Sequence, residues 1–214
     1  MVLKLYGLSI STKTRSVAQV CKELNVPYEL VVVDIRNGEQ KLPKHTQNQP
    51  FGQVPYIDDD GFVLYESRAI ARYLAKKYAG QGTPGLIPIN DPKAEAQFEC
   101  AASIEAFNFD PFAYGVAWEK VFKLRRGLQT DEARMAEMLA TLNTKLDAYE
   151  VILAKQTYLA GDNVTLADFF HLPLGTMLEG PGFELDIFSK RPNVSRWWKA
   201  ISTRPSWLAV KDGA

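Results

Sequence analysis

Apolar positions recur along the chain with two different periods, and the change from one to the other divides it. Residues 2–6, Val-Leu-Lys-Leu-Tyr, are apolar except for Lys4 and stop at Gly7, which predicts a short buried strand. From Ser11 the spacing changes: Val17, Val20, Cys21 and Leu24 repeat at helical intervals, Asn25 can end the helix, and Pro27 forbids its continuation. Residues 28–35 are rich in β-branched types and predict a second strand, giving a strand-helix-strand unit with a right-handed crossover. Asn37-Gly38 marks a turn, and residues 39–48 are polar and irregular, with room for one loose helix. Residues 54–57 and 62–64 are apolar and flank Asp58-Asp59-Asp60-Gly61, a hairpin signal. From Glu66, residues Ile70, Tyr73, Leu74 and Lys77 run at helical spacing, so Glu66 and Ser67 open a helix that lasts to about Tyr78.

Residues 79–91 hold three glycines and two prolines around Leu86-Ile87 and predict a linker that also packs. Beyond it the pattern is helical throughout, in long stretches at 92–123 and 131–154 and shorter ones at 166–178 and 191–203. Asp91-Pro92 fits an N-cap followed by proline at the first helical position, and Thr165-Leu166-Ala167-Asp168 has the spacing of a capping box. That box supports folding more than chemistry. The expected organisation is an α/β N-terminal domain over 1–78, a linker over 79–91 and an all-α helical domain over 92–214, without internal repeats.

Composition narrows the function classes. With 46% hydrophobic residues in 214, the chain can bury a substantial core. Lysine plus arginine equals aspartate plus glutamate at 25 each, so no basic field favours nucleic acid or an anionic membrane. No run approaches a membrane-spanning length, and the first residues lack the apolar core and cleavage site of a signal peptide. Cys21 and Cys100, the two cysteines, match neither a metal cluster nor a disulfide framework, which points to a reduced, cytoplasmic protein with no metal.

Two short stretches remain unexplained by folding: Ser11-Thr12-Lys13-Thr14-Arg15, and Pro50-Phe51-Gly52-Gln53-Val54-Pro55 followed by Glu66-Ser67-Arg68-Ala69-Ile70. With the late Thr165-Leu166-Ala167-Asp168 box, and over essentially the whole chain, they resemble the cytosolic glutathione transferases. Asn37-Gly38-Glu39-Gln40-Lys41 and Phe109-Asp110-Pro111 are most similar to the phi class of plants and fungi. Ser9 in place of a usual proline and Gln40 in place of a common histidine depart from that pattern. The resemblance implies a thioredoxin-like N-terminal domain, a helical second domain and a homodimer. It also implies glutathione as co-substrate, with no permanently bound cofactor.

Glutathione carries a thiol of pKa about 8.5, so only a few per cent is thiolate at neutral pH. Lowering that pKa by about 2 units takes roughly 2.7 kcal/mol, within reach of one hydrogen bond to the anion plus a helix-dipole contribution. Ser11, at the start of the first helix, is the candidate donor. Read from the residues alone, the same serine is first a cap of that helix, and the resemblance reverses that preference. Tyr6 is the rival, because other classes of the family use a tyrosine at the end of the first strand; spacing permits both. His45, in a polar segment, and His171, in an apolar helix, supply no triad.

The resemblance assigns the remaining residues. Pro55 is expected to be cis, turning the Val54 backbone toward the cysteinyl unit of glutathione, with Gln53 beside it. Ser67, opening a helix, offers hydroxyl and N–H groups to the γ-glutamyl carboxylate, and Glu66 answers its ammonium group. Lys41, and more weakly Gln40, reach for the glycyl carboxylate. Ile10, Thr12, Trp118, Phe122 and Met177 are expected to wall a pocket for small hydrophobic electrophiles, and Phe51 to enter the partner subunit. Conjugation is the expected reaction, with hydroperoxides as further substrates. A non-catalytic carrier of hydrophobic metabolites and a structural domain on the same fold are the alternatives.

Overall fold

The structure is a computed structural model that describes residues 2–180, 183 and 185–214. Met1, at the head of the first predicted strand, lies outside the described residues. The chain forms two compact units, Met1–Ile87 together with Arg204–Ala214, and Pro88–Thr203.

The first unit is built on four strands: β1 (Leu3–Gly7), β2 (Tyr28–Val32), β3 (Tyr56–Asp59) and β4 (Phe62–Tyr65). They stand in the order β2-β1-β3-β4, with β1 parallel to β2 and antiparallel to β3, and β3 antiparallel to β4. This is the mixed sheet of a thioredoxin-like domain. Strand alternation assigns the two faces. Leu3, Leu5 and Gly7 are buried on the side of helix α1 (Thr12–Glu23), and a Cβ on Gly7 would stand 2.4 Å from Thr14 Oγ1. Lys4 and Tyr6 point the other way, where Tyr6 stacks on Tyr56 with ring centroids 4.3 Å apart. Helix α3 (Ser67–Lys77) packs beside α1, burying Ile70 and Leu74 against it and the sheet.

Local signals act as their chemistry requires. Asn25 ends α1 at φ 54°, with Val26 N–H reaching back to Cys21 O at 2.8 Å. Asp60 and Gly61 form the two-residue hairpin loop, both at positive φ, and Asp58 Oδ1 accepts from Gly61 N at 2.8 Å. Three boundaries differ from the sequence pattern. β2 stops at Val32 rather than residue 35, because Asp34 turns the chain by accepting from the Arg36 and Asn37 amides. The segment 39–48 becomes a 3₁₀ turn, Glu39–Lys41, followed by a four-residue helix α2 (Pro43–Thr46). β3 begins at Tyr56, two residues late, because Val54-Pro55 is a cis peptide that cannot join the ladder.

The second unit contains α4 (Pro92–Asn108), α5 (Asp110–Ala117), α6 (Glu132–Leu153), α7 (Leu166–Phe169), α8 (Leu172–Glu179) and α9 (Pro192–Ser202). The single pattern read over 92–123 breaks at Phe109, whose backbone leaves helical geometry before Pro111 opens α5; beyond α5 one wider turn, Trp118–Phe122, follows. Asp91 Oδ1 caps α4 by accepting from Lys93 N and Ala94 N. Asp168 is fully buried and accepts from Thr165 N, Thr165 Oγ1, Leu159 N and Trp197 Nε1 at 2.8–3.1 Å, so the capping box also ties α7 to α9. His171 accepts from the Tyr149 hydroxyl at 3.0 Å and donates to Ala167 O, a core role. No helix among the described residues is long and apolar enough to cross a membrane.

The last eleven residues require a correction to the domain boundaries. The sequence pattern carried 92–214 as one helical domain, but Arg204–Ala214, with a short helix α10 (Pro205–Leu208), packs on α1 within the first unit. Buried Trp207 lies under the Arg15 guanidinium, and the Arg204 guanidinium pairs with the buried carboxylate of Glu23.

Candidate active site

The sheet register determines which connections meet. Gly7 pairs with Val32, Tyr6 with Tyr56, and Tyr56 with Tyr65. The loops leaving β1, β2 and β4 and the turn entering β3 therefore open on the same end of the sheet. These connections carry Ile10 and Ser11, Gln40 and Lys41, Gln53 with Val54 and Pro55, and Glu66 with Ser67.

Ser11 is half-buried and occupies the N-cap of α1 with extended backbone (φ −66°, ψ 133°), and its side chain makes no capping hydrogen bond. The capping role open to it from sequence is therefore not taken up by the hydroxyl. Its main chain is held on both sides: Ser11 N donates to Leu8 O at 2.9 Å, and Arg15 N donates to Ser11 O at 3.0 Å. Ile10 beside it is 44% exposed, an apolar side chain left at the mouth of the loop, and Thr12 is half-buried. Tyr6 is differently placed. It faces away from α1 and lines a 240 Å³ cavity with Val31, Leu42, Lys44, His45 and Tyr56, which includes none of Ser11, Gln53, Glu66 or Ser67.

The turn before β3 is braced from α2. His45 Nε2 donates to Gln53 O at 2.7 Å, and Gln53 N donates to the side-chain oxygen of buried Gln49 at 2.9 Å. The Gln53 side chain is exposed, Pro55 is buried, and Val54 is half-buried between them. Gly52, at φ 61°, lets Lys41 lie close: a Cβ there would stand 2.7 Å from Lys41 Cδ. Lys41 Nζ donates to Phe51 O at 3.0 Å, so the ammonium and the turn are already neighbours. Gln40 instead turns its amide to Ile35 O at 3.4 Å. After β4, Glu66 is exposed at φ 70°, a conformation that L side chains rarely adopt, and buried Ser67 begins α3. Phe51 is 64% exposed, its ring edge against Tyr65.

In the second unit, Tyr114 packs its ring against both Trp118 and Phe122, with centroids 6.3 and 5.7 Å apart, and the Arg126 guanidinium lies 4.7 Å from the Trp118 centroid. Met177 is half-buried on α8, the helix that packs against α5. Three supporting residues escaped the sequence reading. Tyr114 was legible as the residue one turn before Trp118, whereas His45 and Gln49 act through the Gln53 backbone and leave no local signal.

Neither cysteine lies on these connections: Cys21 is within α1 and Cys100, exposed, is on α4. Cys21 is buried, and burial pushes its thiol up to about 12. Among the described residues, no group of three histidine, cysteine or acidic side chains is placed to hold a metal ion.

Residues 1–76 match the family model of the glutathione S-transferase N-terminal domain, and residues 90–205 that of its C-terminal domain. The chain belongs to the glutathione S-transferase family. Its similarity to glutathione S-transferase PM239X14 of Arabidopsis thaliana is 46% identity over 202 residues, 94% of this chain and 91% of that one. The crystal structure of glutathione transferase F2 from Populus trichocarpa superposes with a TM-score of 0.92 at 36% identity, covering 97% of this chain and 96% of that chain. Glutathione S-transferase I from mais, solved in complex with an atrazine glutathione conjugate, superposes with a TM-score of 0.89 at 31% identity over 99% of this chain and 97% of its own. These likenesses put the transferase in the phi class. It is an enzyme, with glutathione as its substrate.

Proposed function

We propose that this phi-class transferase activates glutathione through Ser11, whose hydroxyl donates to the sulfur and holds it as thiolate for attack on hydrophobic electrophiles. The observation that carries the reading is the uncommitted Ser11 hydroxyl at the N-cap of a twelve-residue helix. A donor there adds its hydrogen bond to the positive end of the helix dipole. The two together supply the roughly 2.7 kcal/mol that a drop of about 2 pKa units takes. Tyr6 is the weaker donor because its ring is stacked on Tyr56 on the sheet face away from α1.

The other connections at this end of the sheet bind the peptide. The Val54 backbone pairs with the cysteinyl unit as an added strand would, and the exposed Gln53 side chain stands beside it. Ser67 and the first amides of α3 take the γ-glutamyl carboxylate, and Glu66 takes the ammonium group. Lys41 takes the glycyl carboxylate; Gln40 contributes less, since its amide is turned to Ile35 O. Ile10 and Thr12, beside Ser11, contact the electrophile.

The thiolate displaces a leaving group or adds to an activated carbon. With a hydroperoxide it attacks the distal oxygen and releases the alcohol, and a second glutathione then reduces the sulfenic product to disulfide and water. The protein acts as a cytoplasmic homodimer, with Phe51 reaching the partner subunit. Assays with halogenated aromatics, isothiocyanates and organic hydroperoxides, run on wild type, Ser11→Ala and Tyr6→Phe, test the reading. Turnover lost in Ser11→Ala and kept in Tyr6→Phe is expected; the reverse overturns the assignment.

A further inference from the structure

The loop 8–11 that presents Ser11 has a second attachment, more than two hundred residues away in sequence. Ser9 Oγ donates to Ala214 O at 3.3 Å, and Ala214 N donates back to Ser9 O at 3.1 Å. One side-chain bond and one main-chain bond thus join the two residues. Gly213 is pressed onto the same point, for a Cβ added there would stand 2.6 Å from Ser9 Oγ. The segment that brings Ala214 here is itself held along α1. The Arg15 guanidinium donates to Lys211 O and lies 5.6 Å from the Trp207 ring centroid, and Gly213 N closes a turn onto Val210 O. Farther along α1, Glu23 accepts from both Arg204 and Thr83.

We propose that Ser9 is a positioning residue for the reaction: paired with Ala214, it straps the 210–214 segment to the loop and fixes the direction in which Ser11 points its hydroxyl. The inference rests on Ser11 being the donor to sulfur. The two local main-chain bonds, Ser11 N to Leu8 O and Arg15 N to Ser11 O, engage neither Ser9 nor Ile10, and a hydrogen bond to an anion weakens steeply as its donor is misdirected.

The test is the apparent pKa of glutathione thiol bound to the full-length protein, read from thiolate absorbance, together with kcat/KM against pH. Ser9→Ala removes the hydroxyl, and Gly213→Ala forces Ser9 Oγ to rotate away from Ala214 O. Each is expected to raise the pKa by about 0.4–1 unit and lower kcat/KM at pH 6.5 by about two- to fivefold. The double variant should do no more than the larger single effect, because both act on one contact. Additive shifts in the double variant, or unchanged pKa values in both single variants while Ser11→Ala raises it, overturn the strap. An unchanged pKa in Ser11→Ala overturns the Ser11 reading itself, and the strap falls with it.

Discussion

Replacing Ser11 by alanine removes a hydroxyl that makes no capping bond to its helix, and that allows its two possible roles to be separated. A serine that caps a helix through its side chain costs about 0.5–2 kcal/mol when replaced by alanine. In a chain of this size about 1 kcal/mol lowers Tm by about 2–4 °C. Ser11 makes no such capping bond, so the variant should melt within about 1 °C of wild type. The bound thiol should respond differently. Losing one hydrogen bond to an anion, about 1.5–3 kcal/mol, raises its pKa by about 1–2 units. From a starting value near 6.5, the thiolate fraction at pH 6.5 then falls about five- to fiftyfold, and the deficit narrows as pH rises toward 9. Differential scanning calorimetry and thiolate absorbance on the same preparations measure both quantities. A melting point lowered by 4 °C with an unchanged thiol pKa would refute the argument and make Ser11 a cap.

Other residues answer to simpler measurements. Burial alone would raise the Glu23 carboxyl, but hydrogen bonds from Arg204 and Thr83 outweigh it and hold the pKa below the usual carboxylate range. A depressed carboxyl stabilises the fold above its unfolded value and loses that contribution as pH falls through the folded one. Glu23→Gln should therefore cost about 1.5–3 kcal/mol at pH 7 and flatten the loss of stability below pH about 4.5; equal acid slopes in the two proteins refute it. Glu66→Gly should relieve backbone strain of about 1 kcal/mol and raise Tm, while increasing KM for glutathione because the carboxylate is gone. A lower Tm, or an unaltered KM, counts against that assignment. Phe51→Ala should weaken the proposed homodimer in sedimentation velocity, since the proposal gives the exposed ring a partner-subunit contact; a dimer of unchanged strength removes it from the interface.

Much of this protein was legible in one dimension because the signals are local. Asn25 ends a helix, Asp60-Gly61 turns a hairpin, Asp91 caps α4, and Thr165 with Asp168 closes a box, each within a few residues of the element it governs. The same locality explains the boundaries that moved. The apolar pattern of 92–123 runs through Phe109 without interruption and masks the helix start that Pro111 marks. The last eleven residues were assigned to the wrong unit, because their affinity for α1 lies in Trp207 under Arg15 and Arg204 on Glu23. Pairs so distant in sequence leave no period to read.

The family was already legible in the motifs around Ser11, Gln53 and Glu66, because particular residues stand there in adjacent positions. Which way those residues face was decided only by tertiary structure. Sequence spacing permitted both Tyr6 and Ser11; β1 pairing with β2 and β3, and Gly7 closing on Thr14, turn Tyr6 to the sheet face away from α1. The Ser9 contact with Ala214 likewise exists only after folding. A side chain's direction depends on which strands pair and in what register, and those are long-range choices.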